Sequence, residues 1–232
     1  MNRIVSAARL HLVAPWLPLL LPWAIMASSL AINILIWGVA DIAEQTGGRA
    51  GTGGLASLYI TLCVVYMQAV SSLLPFAMGL SLTRRTFYLG TSLFAVGQSF
   101  ASGLLLYAFL LIERGTGGWG VGLKFFRGFW LVDNAVLQVV IFAVPMLAVA
   151  FLGMAVGAVY KRFGSVGVYA LTIGAILGLG GSVALITWQN GWPGVGAWFT
   201  DQSILALLAG WPLLLALLFA AGGYAGLRRV VP

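Results

Sequence analysis

Thr83-Arg84-Arg85-Thr86-Phe87-Tyr88 sets two guanidiniums beside two aromatic rings in a chain that is otherwise largely apolar. The chemistry open to such a run is recognition rather than bond-making, because arginine and aromatic side chains are enriched at the best-packed parts of protein interfaces. A nucleophile–base pair is hard to build elsewhere in the chain. His11 is the single histidine and Cys63 the single cysteine, which removes a membrane-embedded serine–histidine pair, a disulfide within one chain and a cysteine metal site. Cys63 lies in an apolar run and reads as a small core residue. The sequence also lacks the Gly-x-x-x-x-Gly-Lys-Ser/Thr phosphate loop. We therefore expect no catalytic residue, metal or cofactor in this chain. Any work it does has to enter from another protein.

The elements that must present Thr83–Tyr88 follow from composition. Of 232 residues, 61% are hydrophobic and 7% charged, with a mean hydropathy of +1.04, whereas a soluble domain has about 25% charged residues. The apolar runs exceed the roughly 18 residues that cross a bilayer as helix, and they lack the short alternation of barrel strands. The fold class expected is an all-α integral membrane protein, with residues 1–232 forming one transmembrane domain. Six spans are predicted, at about 15–40, 55–80, 91–112, 135–159, 165–188 and 204–227. Pro15, Pro18 and Pro22 crowd the start of the first and invite a bend. The opening residues resemble a signal peptide's charged leader, but the apolar run continues to Ala40, past the 7 to 15 residues of a signal core, so it reads as a retained span.

Residues 1–12 are amphipathic, with Ile4, Val5, Ala8 and Leu12 on one side and Arg3, Ser6 and Arg9 on the other. They read as an interfacial helix on the inner leaflet or as an ordinary charged flank, and His11 as a neighbour of lipid headgroups. The glycine-rich loop 41–54 faces water. Aromatics and bases in Lys124-Phe125-Phe126-Arg127-Gly128-Phe129-Trp130 read as an interface belt. Residues 189–202 are expected as a short tryptophan-rich loop.

Charge sets orientation. The two tails, the 80–90 turn and the 160–164 turn carry Arg3, Arg9, Arg84, Arg85, Lys161, Arg162, Arg228 and Arg229 with no acid. The other three loops carry Arg49, Arg114, Lys124 and Arg127 together with Asp41, Glu44, Glu113, Asp133 and Asp201. By the positive-inside rule both termini are predicted to be cytoplasmic. The same asymmetry explains the net charge of +7 without a nucleic-acid partner.

Within the run, Thr83 can cap a helix of two turns at most, Gly90 can end it and Thr91 can cap the third span. Arg84 then lies over Tyr88 and Arg85 over Leu89, with Phe87 directed elsewhere. These residues form a docking helix, or they only enforce topology and sit at the headgroups. No charged side chain falls near the middle of a predicted span, which argues against a proton-coupled carrier. Asn33, Gln68, Gln98 and Gln138 are candidates for a substrate path; they and Asn134 could equally bond helix to helix. Gly153/Gly157, Gly174/Gly178 and Gly222/Gly226 have spacings that permit close helix approach.

Six spans in about 230 residues, a basic amphipathic start and the Gly79-Leu-Ser-Leu-Thr-Arg-Arg-Thr-Phe-Tyr-Leu-Gly-Thr91 turn together resemble the membrane subunits of ATP-binding cassette exporters, in the type 2 permease family. The resemblance implies that Thr83, Arg84, Arg85, Thr86, Phe87 and Tyr88 form a coupling helix seated on an ATPase subunit. It implies two such ATPases, which bind the ATP and Mg, a second permease subunit of the same or another kind, and a bacterial plasma-membrane location among lipids. It carries no substrate class. Two other readings remain open at this point, a substrate-capturing membrane subunit of an ATPase-driven uptake system and a non-transporting scaffold.

Overall fold

A computed structural model of the chain describes every residue except 1–2, 14, 48–50, 128–130 and 229–232, so Met1, Arg49, Phe129, Trp130 and Arg229 lie outside the described residues. The described residues are mostly helical and contain no strand. They form α1 (Arg3–Arg9), α2 (Trp16–Ala40), α3 (Ile42–Gln45), α4 (Ala56–Gly79), α5 (Arg84–Gly115), α6 (Ala135–Trp188), α7 (Trp192–Asp201) and α8 (Ala206–Arg228). Five of these, α2, α4, α5, α6 and α8, are long and apolar enough to cross a membrane.

Proline shapes these helices in a regular way. Turns of π-helix occupy Trp16–Leu20, Ala69–Leu73 and Ala206–Gly210, each ending two residues before Pro22, Pro75 or Pro212. A proline has no N–H for the carbonyl four residues back and its ring crowds that carbonyl. Widening the preceding turn relieves the clash, which is why the expected bend in α2 takes this form.

The 54-residue α6 is interrupted by Gly164, at φ 66° and ψ −159°. Here the chain turns back. Ser203, Leu205 and Ala206 lie beside Val140 and Val144, while Gly223 meets Ala155 and Gly226 meets Ala158, so α8 runs parallel to the first half of α6. Had α6 continued straight, Trp188 would stand roughly 66 Å beyond Val144, more than the residues up to Ser203 can cover when ten of them are helical in α7. Only a reversal at Gly164 closes that path, and only glycine tolerates its backbone angles cheaply.

The core joins α4, α5, the first half of α6 and α8. Small residues set the closest approaches. A Cβ on Gly153 would meet the Cys63 carbonyl and one on Gly157 the Met67 carbonyl at 2.8 Å, so this glycine pair packs α6 on α4 inside one chain. Gly174 and Gly178 have nothing within 4 Å. Their half of α6 is exposed along nearly its whole length, with Ile173, Ile176, Leu177 and Leu179 each more than half exposed. So extensive an apolar surface requires lipid or another protein.

Three sequence expectations change. Residues 189–202 are mostly helix (α7), started by Pro193 in its first turn. No separate short helix precedes the third predicted span, because α5 is continuous from Arg84 to Gly115. Phe125 and Phe126 do not form an interface belt; both are buried in the core, pulled inward by the carboxylate described below.

Candidate functional site

The Thr83–Tyr88 run lies at the start of α5. Thr83 has extended backbone and its hydroxyl accepts from the Thr86 N–H at 3.2 Å, so it caps the helix as its residue type predicts. The Thr83 and Thr86 hydroxyls also share a hydrogen bond of 2.8 Å. Gly90 does not end this helix and Thr91 does not start another. Gly90 is there because α1 crosses at that point: a Cβ would stand 2.6 Å from the Ala7 Cβ and 2.9 Å from the Ile4 carbonyl. Close approach, rather than a helix stop, explains the residue.

The six side chains part into two groups. Thr83 and Arg85 are exposed, and Arg84 and Thr86 are half-buried. Phe87 and Tyr88 are buried at 1% and 4% exposure. Phe87 faces the His11 ring from α5, at 6.5 Å between centroids. Tyr88 donates its hydroxyl to the Ala220 carbonyl at 2.7 Å and lies 5.5 Å from the Tyr224 ring, over which Arg228 places its guanidinium at 5.5 Å. The start of α5 is thereby tied to both the first and the last helix of the chain.

α1 and the turn after it face inward through Ala7 and His11, flanked by half-buried Ile4 and Ala8 of the predicted apolar side, whereas Val5 and Leu12 of that side are exposed. His11 is no headgroup neighbour. It is 3% exposed, its Nε2 pairs with the Thr91 hydroxyl at 3.0 Å, and it stacks on Phe94 at 4.7 Å. Burial pushes its pKa from 6.5 down to about 4, which holds the ring neutral. No sequence signal marks this; Gly90 alone makes room for α1.

Arg3, Arg9 and Arg162 are exposed at this same end of the bundle, with Lys161 half-buried and Arg162 resting on Phe163 at 4.8 Å. The surface is strongly basic. The opposite end is organised by Glu113, buried at 1%. Its carboxylate accepts from the backbone N–H groups of Phe125 (3.0 Å), Phe126 (2.9 Å) and Arg127 (3.0 Å) and from the Trp119 indole (3.2 Å). These bonds fold the 116–127 segment back over the helix ends.

Of the four candidate path residues, Gln68 and Gln98 both stand at Pro18, while Asn33 and Gln138 bond elsewhere. Asn33 donates to the Ser29 carbonyl and accepts from Thr52 at 2.8 Å. Gln98 accepts from the Tyr66 hydroxyl at 2.7 Å and donates to the Pro18 carbonyl, the one that Pro22 leaves without its usual helical donor. Gln138 accepts from the Val132 N–H at 2.9 Å, leaving its own amide nitrogen unpartnered. Gln68 lines a cavity of about 110 Å³ with His11, Pro18 and Ser72. Asn134, counted among the in-span polar groups, instead caps α6 by accepting from Val136 and Leu137. Among the described residues no cluster of three His, Cys, Asp or Glu side chains could hold a metal.

No protein-family model matches this chain, and no curated protein or solved structure matches it either.

Proposed function

We propose that this chain is the membrane subunit of an ATP-driven exporter of the type 2 ATP-binding cassette permease kind, powered by a separate ATPase that docks on the start of α5. The observation that carries this reading is the division of Thr83–Tyr88. Thr83, Arg84 and Arg85 are presented at a basic end of the bundle, while Phe87 and Tyr88 directly behind them are locked to α1 and α8. A push on the outer residues is therefore delivered to three helices at once, because packed interiors move as units.

On this reading the reversal at Gly164 makes α6 cross the bilayer twice, giving six crossings with both termini and the Arg84 end in the bacterial cytoplasm. Two ATPases supply ATP and Mg, and a second permease covers the bare 165–188 helix, whose Gly174 and Gly178 permit close approach. The test is an R84A/R85A variant, which leaves the Thr83 cap in place, co-expressed with the cognate ATPase. The variant is expected to insert and fold normally but to lose the ATPase on solubilisation and to abolish ATP-dependent transport in vesicles. Unchanged retention and transport would remove the docking assignment.

A further inference from the structure

Away from the Arg84 end, a cavity of about 310 Å³ lies between α4, the 123–127 segment, α6 and α8. Its walls include Tyr59, Phe126, Ile141, Phe142, Pro145 and Leu208. None of these side chains is charged, and the one hydroxyl, on Tyr59, is already given to the Phe142 carbonyl at 3.1 Å. The volume is about twice that of an engineered cavity that takes up benzene, which corresponds to roughly a dozen carbon atoms.

Two of the wall residues stand four positions before a proline, so the N–H that an α-helix would give their carbonyls is absent. Pro145 has no N–H for Ile141, and Pro212 has none for Leu208. At the equivalent position in α2, the Pro18 carbonyl left by Pro22 is taken by the Gln98 side chain. Among the described residues no side-chain donor does the same for Ile141 or Leu208; the hydroxyl in the wall, on Tyr59, is committed to Phe142. In an apolar setting an acceptor without a donor is costly.

We propose that this cavity binds an amphiphile with an apolar body of roughly a dozen carbons and a hydroxyl or N–H donor that completes these carbonyls. Describing this ligand as cargo rests on the exporter reading. The binding itself does not, and it is measured on the full chain alone, without ATP or ATPase.

The experiment is photolabelling of the purified chain with a diazirine-bearing dodecanol, mapped by mass spectrometry. Labelling is expected on the peptides holding Ile141–Pro145 and Leu208. Unlabelled dodecanol is expected to compete about tenfold better than dodecyl methyl ether, which has the oxygen but no donor. Leu208→Trp fills the space and should cut labelling at least tenfold; Leu208→Phe, a milder change, should cut it less and guards against misfolding. The double variant P145A/P212A restores both N–H groups and should erase the preference for alcohol over ether while labelling persists. Labelling elsewhere, labelling unchanged in L208W and L208F, or equal competition by alcohol and ether in the unaltered chain would each overturn the proposal.

Discussion

The hydroxyl of Tyr88 and the carbonyl of Ala220 meet at 2.7 Å across 132 positions of sequence, joining the helix that carries the arginine pair to the last helix of the chain. Removing that hydroxyl in Tyr88→Phe keeps the ring against Tyr224 and deletes one hydrogen bond, worth about 1 kcal/mol. The expected outcome is a small drop in thermal stability with insertion unchanged. Loss of ATPase-driven transport well beyond that drop would mark the bond as part of the path along which motion travels.

Gly90 provides a separate lever on α1. In Gly90→Val the added carbons would collide with Ala7 and with the Ile4 carbonyl, and overpacking of this kind costs about 1 to 3 kcal/mol. We expect α1 to detach while α5 stays helical. A cysteine placed at Ala7, buried at 1%, should then react with a water-soluble maleimide in the Gly90→Val background and stay protected otherwise.

His11 makes stability depend on pH. Its folded pKa of about 4 lies below the ordinary 6.5, so the folded state takes up the proton less readily than the unfolded one. The neutral ring's contribution is therefore complete above pH 6.5 and is lost progressively as pH falls toward 4, by as much as about 3 kcal/mol. Melting of the solubilised chain between pH 8 and 4.5 should show this decline. Replacing His11 by Gln should flatten it, and an equal decline in that variant would reject the assignment.

Glu113 offers a proteolytic readout. Glu113→Ala strands four donors around an empty space, and buried unpaired groups cost about 1 to 3 kcal/mol each before relaxation. The 116–127 segment should open and expose Lys124 and Arg127 to trypsin. Glu113→Gln keeps an acceptor oxygen and should be cut more slowly than Glu113→Ala.

Much of the architecture was readable from the sequence because a bilayer demands long apolar helices, and those runs are visible without knowing what they touch. The Thr83 cap was readable for a similar reason, since it acts within three residues of itself. Gly90 was misread because a glycine after an amphipathic stretch is a common helix stop, and only the crossing of α1 shows why it stands mid-helix. His11 and Glu113 were misplaced by the same shortfall: each is buried by a segment about 80 residues away or by a loop whose path no local pattern reveals. Phe87 and Tyr88 looked like interface residues by type, and the fold spends both on internal contacts.

Docking of an ATPase on the start of α5 is the step on which the proposed function depends. A photo-crosslinking amino acid at Arg85, with a control at the exposed Trp192 on the opposite end, tests it in intact cells. The Arg85 adduct is expected to contain a protein with an ATP-binding cassette phosphate loop, and the Trp192 adduct is not. Crosslinks from Arg85 that reach only lipid, or an ATPase captured equally from both positions, would contradict it.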